Sequence, residues 1–381
     1  MVDGVDRRQF DARLRDTIAR TSPCERFQRL DDEKAFDHEL HAALGTMGVW
    51  GLGVPRDWGG AGGDTVDQVI ALRALGHHAT SMGMFGVVNF LCTRILAANA
   101  DAMQRDRYLR PLAQAQVKGA FCLTEKQGGT DILRLMGTRA TREGGSFLLA
   151  GTKTWICGAD IADFLIVVAR TSPGKTDGIS MFIVPRDTPG MTVRRLNTFA
   201  VNGYAACEVH FDQVKVPTEN LLGTEGQGFR QLLAMLNAER LSASGNALGI
   251  AQGALAVASD YARERKAFDK TLSQMQAVQH KLANAALAYE LAWTYLVAAA
   301  EANDRGEAID VASSMAKLAA VNAAQQAADT GMEILGAAAF DMDNPMQRYY
   351  RDYRLYVIAP LNNDMSRSLI AERYFGFGRG F

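Results

Sequence analysis

The chain has 381 residues, 48% of them apolar, and its 41 basic residues nearly cancel 42 acidic ones, leaving a formal net charge of −1. That length suffices for two or three packed regions, and that charge balance gives no electrostatic footing for a nucleic-acid partner. The five cysteines, Cys24, Cys92, Cys122, Cys157 and Cys207, are odd in number and scattered without a CxxC pair. They argue against a disulfide framework or a zinc site, so no metal is expected, and they suit a reducing compartment.

In chain order, Met1–Arg8 is followed by no apolar signal core, which points to a cytoplasmic protein. Residues 1–118 read as an N-terminal helical domain, with Phe36, Leu40, Ala43, Leu44 and Met47 recurring at helical spacing. The run Trp58-Gly59-Gly60-Ala61-Gly62-Gly63 breaks the chain, and Asp64-Thr65 can cap the helix that follows. His77-His78 and Met82-Gly83-Met84 lie in the next helical stretch; they read as surface and core positions, and neither is given a role.

Residues 119–228 change period. Phe147–Lys153, Phe164–Val168, Ser180–Val184 and Val209–Phe211 are short runs of strand formers punctuated by Gly and Pro, which predicts an antiparallel β domain. From residue 229 to 381 the helical period returns in Ala- and Leu-rich segments, Leu232–Arg265, Gln274–Asp304 and Ala308–Leu335, as in a four-helix bundle. The stretch from Leu282 to Ala302 carries Asn284, Glu290 and Glu301, so it reads as a buried bundle helix and not as a membrane span. The class is therefore α+β: helices, then a sheet, then a helical bundle.

Several motifs punctuate this order: Val54-Pro55 with Gly59-Gly60, Thr124-Glu125 with Gly128-Gly129-Thr130-Asp131, and Gly151-Thr152-Lys153-Thr154-Trp155-Ile156. Further on come Val214–Pro217, Asn220–Gly223, Gly226–Phe229, Arg265-Lys266-Ala267-Phe268, Gln276, Ile334-Leu335-Gly336 and Arg351-Asp352. In this order the chain resembles the acyl-CoA dehydrogenase superfamily over nearly its whole length. The resemblance implies FAD, a thioester substrate on CoA or an acyl carrier protein, and an electron acceptor such as electron-transfer flavoprotein or oxygen. It also implies a homotetramer, or at least a homodimer, in which each flavin touches two subunits.

By the same resemblance, Phe121, Leu123, Thr124, Gly129 and Thr130 cradle the flavin and its pyrophosphate, a task suited to N–H groups in a Gly-rich turn. Trp155 matches the aromatic residue that covers one edge of the ring. Arg265, Phe268 and Gln276 match the neighbouring subunit's contribution, as do Glu333 and Gly336. Some positions depart from the family pattern. Cys157 stands for a hydroxyl residue near flavin N5 and is either a reactive thiol or an inert buried one. Glu333 stands where a Gln is common. At about 4 Å a second negative charge would oppose the phosphates by roughly 1 kcal/mol in water and about 4 at a dielectric near 20. Protonation, a turned side chain or pairing with Arg265 or a neighbour would relieve that repulsion. Ala337 replaces a second glycine, and Asn362 and Asp364 stand for Thr and Gln.

Desaturation of a thioester needs a carboxylate against the substrate α-carbon, with its pKa raised by burial. Counting from Arg351-Asp352 places Pro360 where the family keeps its glutamate, and proline is no base. Asp364 would have to reach back about one helical turn. Other members carry the base on the first bundle helix, in a Glu-Arg followed by Leu-Gly; here Glu239-Arg240 and Leu248-Gly249 match. Glu239 is thus the candidate base, although Glu-Arg also occurs there as a structural pair. Asn237 and Arg240 match positions on the pantetheine arm, and Arg240 equally suits an ordinary ion pair. The primary expectation is an FAD-dependent acyl-thioester dehydrogenase. The alternatives are a flavoenzyme acting on carrier-bound intermediates of secondary metabolism and a base-lacking subunit of a mixed complex.

Overall fold

The helices begin where the sequence supplies acceptors for their free N–H groups. In the computed structural model, which describes residues 6–174 and 176–378, Asp6 caps α1 (Arg7–Thr21). Asp37 accepts from the Leu40 N–H at 3.0 Å at the start of α3 (His38–Thr46), after α2 (Cys24–Asp32). Asp64 and Asp67 form a reciprocal capping box on α4 (Thr65–His78), directly after the Gly-rich break. The segment Met1–Val5, read for a leader, lies outside the described residues.

Among the described residues, α5 (Thr80–Asn99) is the one helix long and apolar enough to cross a membrane, yet most of it is buried against other helices. Two short turns, α6 (Ala102–Gln104) and α7 (Arg110–Ala113), lead into the sheet.

The sheet contains β1 (Gly119–Cys122), β2 (Arg139–Glu143), β3 (Ser146–Cys157), β4 (Phe164–Arg170), β5 (Ile179–Pro185), β6 (Met191–Arg195), β7 (Ala206–Pro217) and β8 (Leu221–Leu222). A short helix, α8 (Ile132–Leu135), lies between β1 and β2. Strand order is β6-β7-β3-β2-β4-β5-β8, with β1 also on β4. The pairing is mostly antiparallel, but β1 and β2 run parallel to β4, a departure from the all-antiparallel expectation. Parallel neighbours need a crossover instead of a hairpin; the chain from β1 to β4 runs through α8, β2 and β3, and from β2 to β4 through β3.

Side chains on β4 and β5 alternate between two cores. Phe164, Ile166, Val168, Met181 and Ile183 pack with the helices, whereas Leu165, Val167, Phe182 and Val184 pack on the far face of the sheet.

The bundle comprises α9 (Gly228–Glu264), α10 (Gln276–Asp304), α11 (Asp310–Leu335), α12 (Pro345–Ile358) and α13 (Asn363–Phe375), with a two-stranded ribbon, β9 (Lys266–Ala267) and β10 (Lys270–Thr271), after α9. Helices α4 and α9 cross at glycines. A Cβ on Gly249 would lie 2.3 Å from the Arg73 carbonyl, and one on Gly76 would lie 2.3 Å from the Asn246 carbonyl. The Leu-Gly of the Glu-Arg motif is therefore a packing requirement, and it fixes how the helix bearing Glu239 lies on the N-terminal helices.

Candidate active site

The segment between β1 and β2 is anchored from beneath by one buried ion pair. Lys153, pointing inward from β3, donates to Glu125 Oε1 at 2.8 Å and to the Leu123 carbonyl at 2.9 Å. Glu125 also accepts from the N–H groups of Gly137 at 2.6 Å and Thr138 at 3.0 Å, and the Thr154 N–H donates to the Thr124 carbonyl at 3.0 Å. Although burial works in the opposite direction, Lys153 and these N–H donors hold the Glu125 carboxyl below its usual range.

With the segment pinned there, Gly129 faces open space and Thr130 is exposed; Asn362 Nδ2 donates to Thr130 Oγ1 at 3.0 Å. The next residue on β3, Trp155, leaves the β3–β7 ladder at an irregularity between Lys153 and Ile156, adopts φ +61°, and is 57% exposed. A large aromatic residue held in left-handed backbone and turned to solvent is costly unless it meets a ligand. The segment from Phe121 to Thr130, the β3 residues Lys153–Trp155 beside it and Asn362 bonded to Thr130 are thus brought together.

Cys157 ends β3. Burial, and secondarily the charge of Glu239, pushes its thiol up to about 12, so it is a neutral, unreactive thiol at pH 7. The coupling also locates Glu239, whose carboxyl is within electrostatic reach of Cys157, Cys92 and Arg94. Among the described residues Glu239 makes no hydrogen bond or ion pair. Its side chain keeps some access to solvent while surrounded by protein on α9, and burial raises it to about 7 against the opposing pull of Arg240 and Arg94. Glu239 is therefore an unengaged carboxyl within electrostatic reach of Cys157 that titrates near neutrality.

The neighbours of Glu239 are arranged differently from an ordinary Glu-Arg pair. Arg240 turns away into the bundle, donating to Asn237 Oδ1 at 2.8 Å and to the hydroxyls of Ser313 and Ser314 at 3.3 Å. Lys317, fully buried on α11, donates to the Leu361 carbonyl at 2.6 Å and to Asn363 Oδ1 at 2.7 Å, and burial lowers it to about 8. It thereby holds the loop containing Pro360. Asp364 is exposed and pairs with Arg367 at 2.9 Å. Asp352 accepts from Thr80 Oγ1 and from the Val201 N–H, and Arg351 pairs with Asp31 at 2.7 Å, so this motif ties α12 to the N-terminal helices. His78 contacts the Ser22 carbonyl at 2.6 Å, and burial holds His77 near 4, so His77 is neutral at pH 7.

Arg265, Phe268, Gln276, Glu333 and Gly336 gather elsewhere. Arg265 follows the C-terminus of α9, and at 1.5 Å per residue it lies roughly 39 Å along the helix axis from Glu239. One protomer does not bring the two sets together. Phe268 and Asp269 form the turn between β9 and β10 with φ +54° and +61°, and Phe268 is 92% exposed. Such turns favour Asn-Gly, so a protruding phenylalanine there is a second strained, solvent-facing aromatic. Glu333 is paired with Lys281 of α10, which answers the charge problem read from the sequence. Gly336 has φ +59°, and a Cβ there would meet nothing within 4 Å.

Arg94, Gln68, Ser242 and Lys317 were not singled out from the sequence. A lone arginine inside the apolar run of α5 was the available signal for the first.

N-terminal helices, a middle sheet and a C-terminal bundle in this order are the fold of the acyl-CoA dehydrogenase type. Three family models match in order: acyl-CoA dehydrogenase N-terminal domain over residues 6–116, middle domain over 120–214 and C-terminal domain over 226–375. The chain belongs to the acyl-CoA dehydrogenase family, whose members are FAD-dependent oxidoreductases acting on CH–CH groups. It is 34% identical to an acyl-CoA dehydrogenase of Bacillus subtilis, over 90% of each chain. It is also 34% identical to the mitochondrial short-chain specific acyl-CoA dehydrogenase of Mus musculus, over 90% of this chain and 84% of that one. The butyryl-CoA dehydrogenase structure from Megasphaera elsdenii superposes with a TM-score of 0.93 at 28% identity, covering 98% of this chain and 100% of the other.

Proposed function

We propose that the protein desaturates an acyl thioester, with Glu239 removing the proton from the substrate α-carbon. The observation that carries this reading is the Glu239 carboxyl itself: unpaired among the described residues, within electrostatic reach of Cys157, and raised by burial to about 7. A base of that pKa is about half ionised at pH 7 and retains a strong affinity for the proton it takes. Phe121, Leu123, Thr124, Gly129, Thr130, Trp155 and Asn362 would hold FAD, and when bound FAD supplies the acceptor for the hydride leaving the β-carbon. The pair Lys153–Glu125 fixes the cradle, Trp155 shields it from water on one side, and Lys317 fixes the Pro360 loop that closes it near Asn362.

The distance between the two residue sets supports a homo-oligomer in which Arg265, Phe268 and Gln276 of one subunit complete the flavin site of another. The five free cysteines suit a reducing, cytoplasmic setting. Proline at 360, in the loop that otherwise carries the base, favours a second reading: the same flavin on an acyl group tethered to a carrier protein, with oxygen or electron-transfer flavoprotein as acceptor.

The test is anaerobic addition of short acyl thioesters, on CoA and on carrier protein, to the FAD-loaded protein while the visible flavin band is followed. The expected result is bleaching by one of them in the wild type, slowed about 10²- to 10⁴-fold in Glu239→Gln. Bleaching at full rate in that variant would remove Glu239 as the base. No bleaching by any thioester would remove desaturation.

A further inference from the structure

Lys317 is a fully buried ammonium on α11, and the charges that act on it, Arg240 of α9 and Arg367 of α13, are both positive. Among the described residues no carboxylate pairs with it. Its acceptors are the Leu361 carbonyl at 2.6 Å and Asn363 Oδ1 at 2.7 Å, one on each side of Asn362. A buried cation stripped of its acceptors is strongly destabilising. Lysine and loop therefore hold each other: the chain from Leu361 to Asn363 cannot leave α11 without stranding the charge.

The clamp aims the residue between its two ends. Asn362 Oδ1 accepts from the Met365 N–H at 2.8 Å and so caps α13, while Asn362 Nδ2 donates to Thr130 Oγ1 at 3.0 Å. The cap settles which amide atom is which, because a backbone N–H needs the oxygen and leaves the nitrogen for Thr130. A hydroxyl has one proton to give and two lone pairs to receive. Asn362 occupies one lone pair of Thr130, and Thr130 Oγ1 has no other hydrogen bond among the described residues. Its proton is thus left to donate, from an exposed side chain next to Gly129, which faces open space.

We infer that Lys317 is a positioning residue for the flavin cradle: through the clamped loop and Asn362 it orients the Thr130 hydroxyl to donate to an oxygen of bound FAD. This rests on Thr130 belonging to the cradle, as read above, and is independent of Glu239 and of desaturation. The loop that carries proline in place of a base at position 360 thereby keeps a task at the cofactor. Lys317 bonds neither Thr130 nor any other residue of the cradle except through this loop. Lysine, loop, Asn362 and Thr130 act in series, and groups in series lose the same interaction whichever of them is removed.

The experiment measures the dissociation constant of FAD by flavin fluorescence in the wild type, Lys317→Met, Thr130→Val and the double variant, with a thermal melt of each flavin-free protein. Each single change should weaken FAD on the order of tenfold, the size of one lost hydrogen bond. The double variant should bind FAD within about twofold of Thr130→Val alone. Losses that multiply to about 100-fold would make Lys317 a support of the fold only and overturn the inference. So would wild-type FAD affinity in Lys317→Met. Wild-type affinity in Thr130→Val would instead remove Thr130 from the cradle, and the inference with it. If Lys317→Met does not fold, Asn363→Leu, which removes one acceptor and leaves the lysine, takes its place in the same cycle with the same outcomes. Asn362→Ser separates the cap from the aim, since serine still caps a helix but is too short to keep the bond to Thr130. It should weaken FAD by the same factor with an unchanged melt. A lowered melt with FAD affinity intact would confine Asn362 to the cap and overturn the inference.

Discussion

Replacing Glu239 with Gln should make the protein more stable at alkaline pH while abolishing its chemistry. Burial holds the Glu239 carboxyl near 7, against an ordinary value of 4.5. At 1.36 kcal/mol per pKa unit, ionising it in the folded state costs about 3 kcal/mol more than ionising it in the unfolded chain. The sign follows from proton binding. Between 4.5 and about 7 the folded protein keeps a proton that the unfolded chain has released, so stability falls as pH rises through that window and the full cost is present above it. Glutamine does not titrate. Its advantage over the wild type should be near zero below 4.5 and approach about 3 kcal/mol by about pH 8. In thermal melts of the substrate-free protein that is a rise of roughly 5 °C at alkaline pH and almost none at acid pH. In the kinetic arm, wild-type flavin reduction should climb about tenfold per pH unit below 7 and level off above it. Two results together would refute the reasoning: melts of the pair that coincide at both pH values, and a reduction rate already flat from about pH 5. They would make Glu239 an ordinary solvated carboxyl with no claim to be the base.

The cradle should respond separately from the base. Lys153→Met leaves Glu125 buried without its cation, and breaking a buried pair from one side costs about 3–5 kcal/mol; a large fall in melting temperature together with lost FAD content is expected, and a stable variant with full flavin would show that the pair does not anchor the cradle. Trp155→Gly should move the two readouts in opposite directions, because glycine accepts φ +61° without the ~1–2 kcal/mol penalty of a side chain. The apoprotein should melt no lower than the wild type while FAD affinity drops, and a parallel loss of both would make Trp155 a core residue.

The order of helices, sheet and bundle is legible because the hydrophobic period changes where the architecture does, at the entry to β1 and again at α9. The cradle is legible only in part: Lys153 and Trp155 are two residues apart on β3, a spacing that in a regular strand shares one face, and the irregularity between Lys153 and Ile156 is what turns Trp155 out to solvent while Lys153 points in to Glu125. The parallel setting of β1 against β4 is not legible: strand-forming runs reveal where strands are but not which way their neighbours run, and register is decided by distant pairings such as Phe121 with Ile166. Arg94 and Lys317 are hidden for a related reason. Each sits in an apolar or Ala-rich run whose period announces burial, and their partners Ser242 and Asn363 come from other helices. Spacing can say that such a cation is inside the protein, but only the fold says what it faces. Lys317 faces the chain's own carbonyl and amide oxygens, so its charge is answered within the protein. Arg94 donates to Ser242 and Gln68 and lies within electrostatic reach of Glu239 and Asp304, so its charge too is met by groups of the chain. Both cations therefore read as scaffolding, Lys317 for the Pro360 loop and Arg94 for the contact of α5 with α4 and α9.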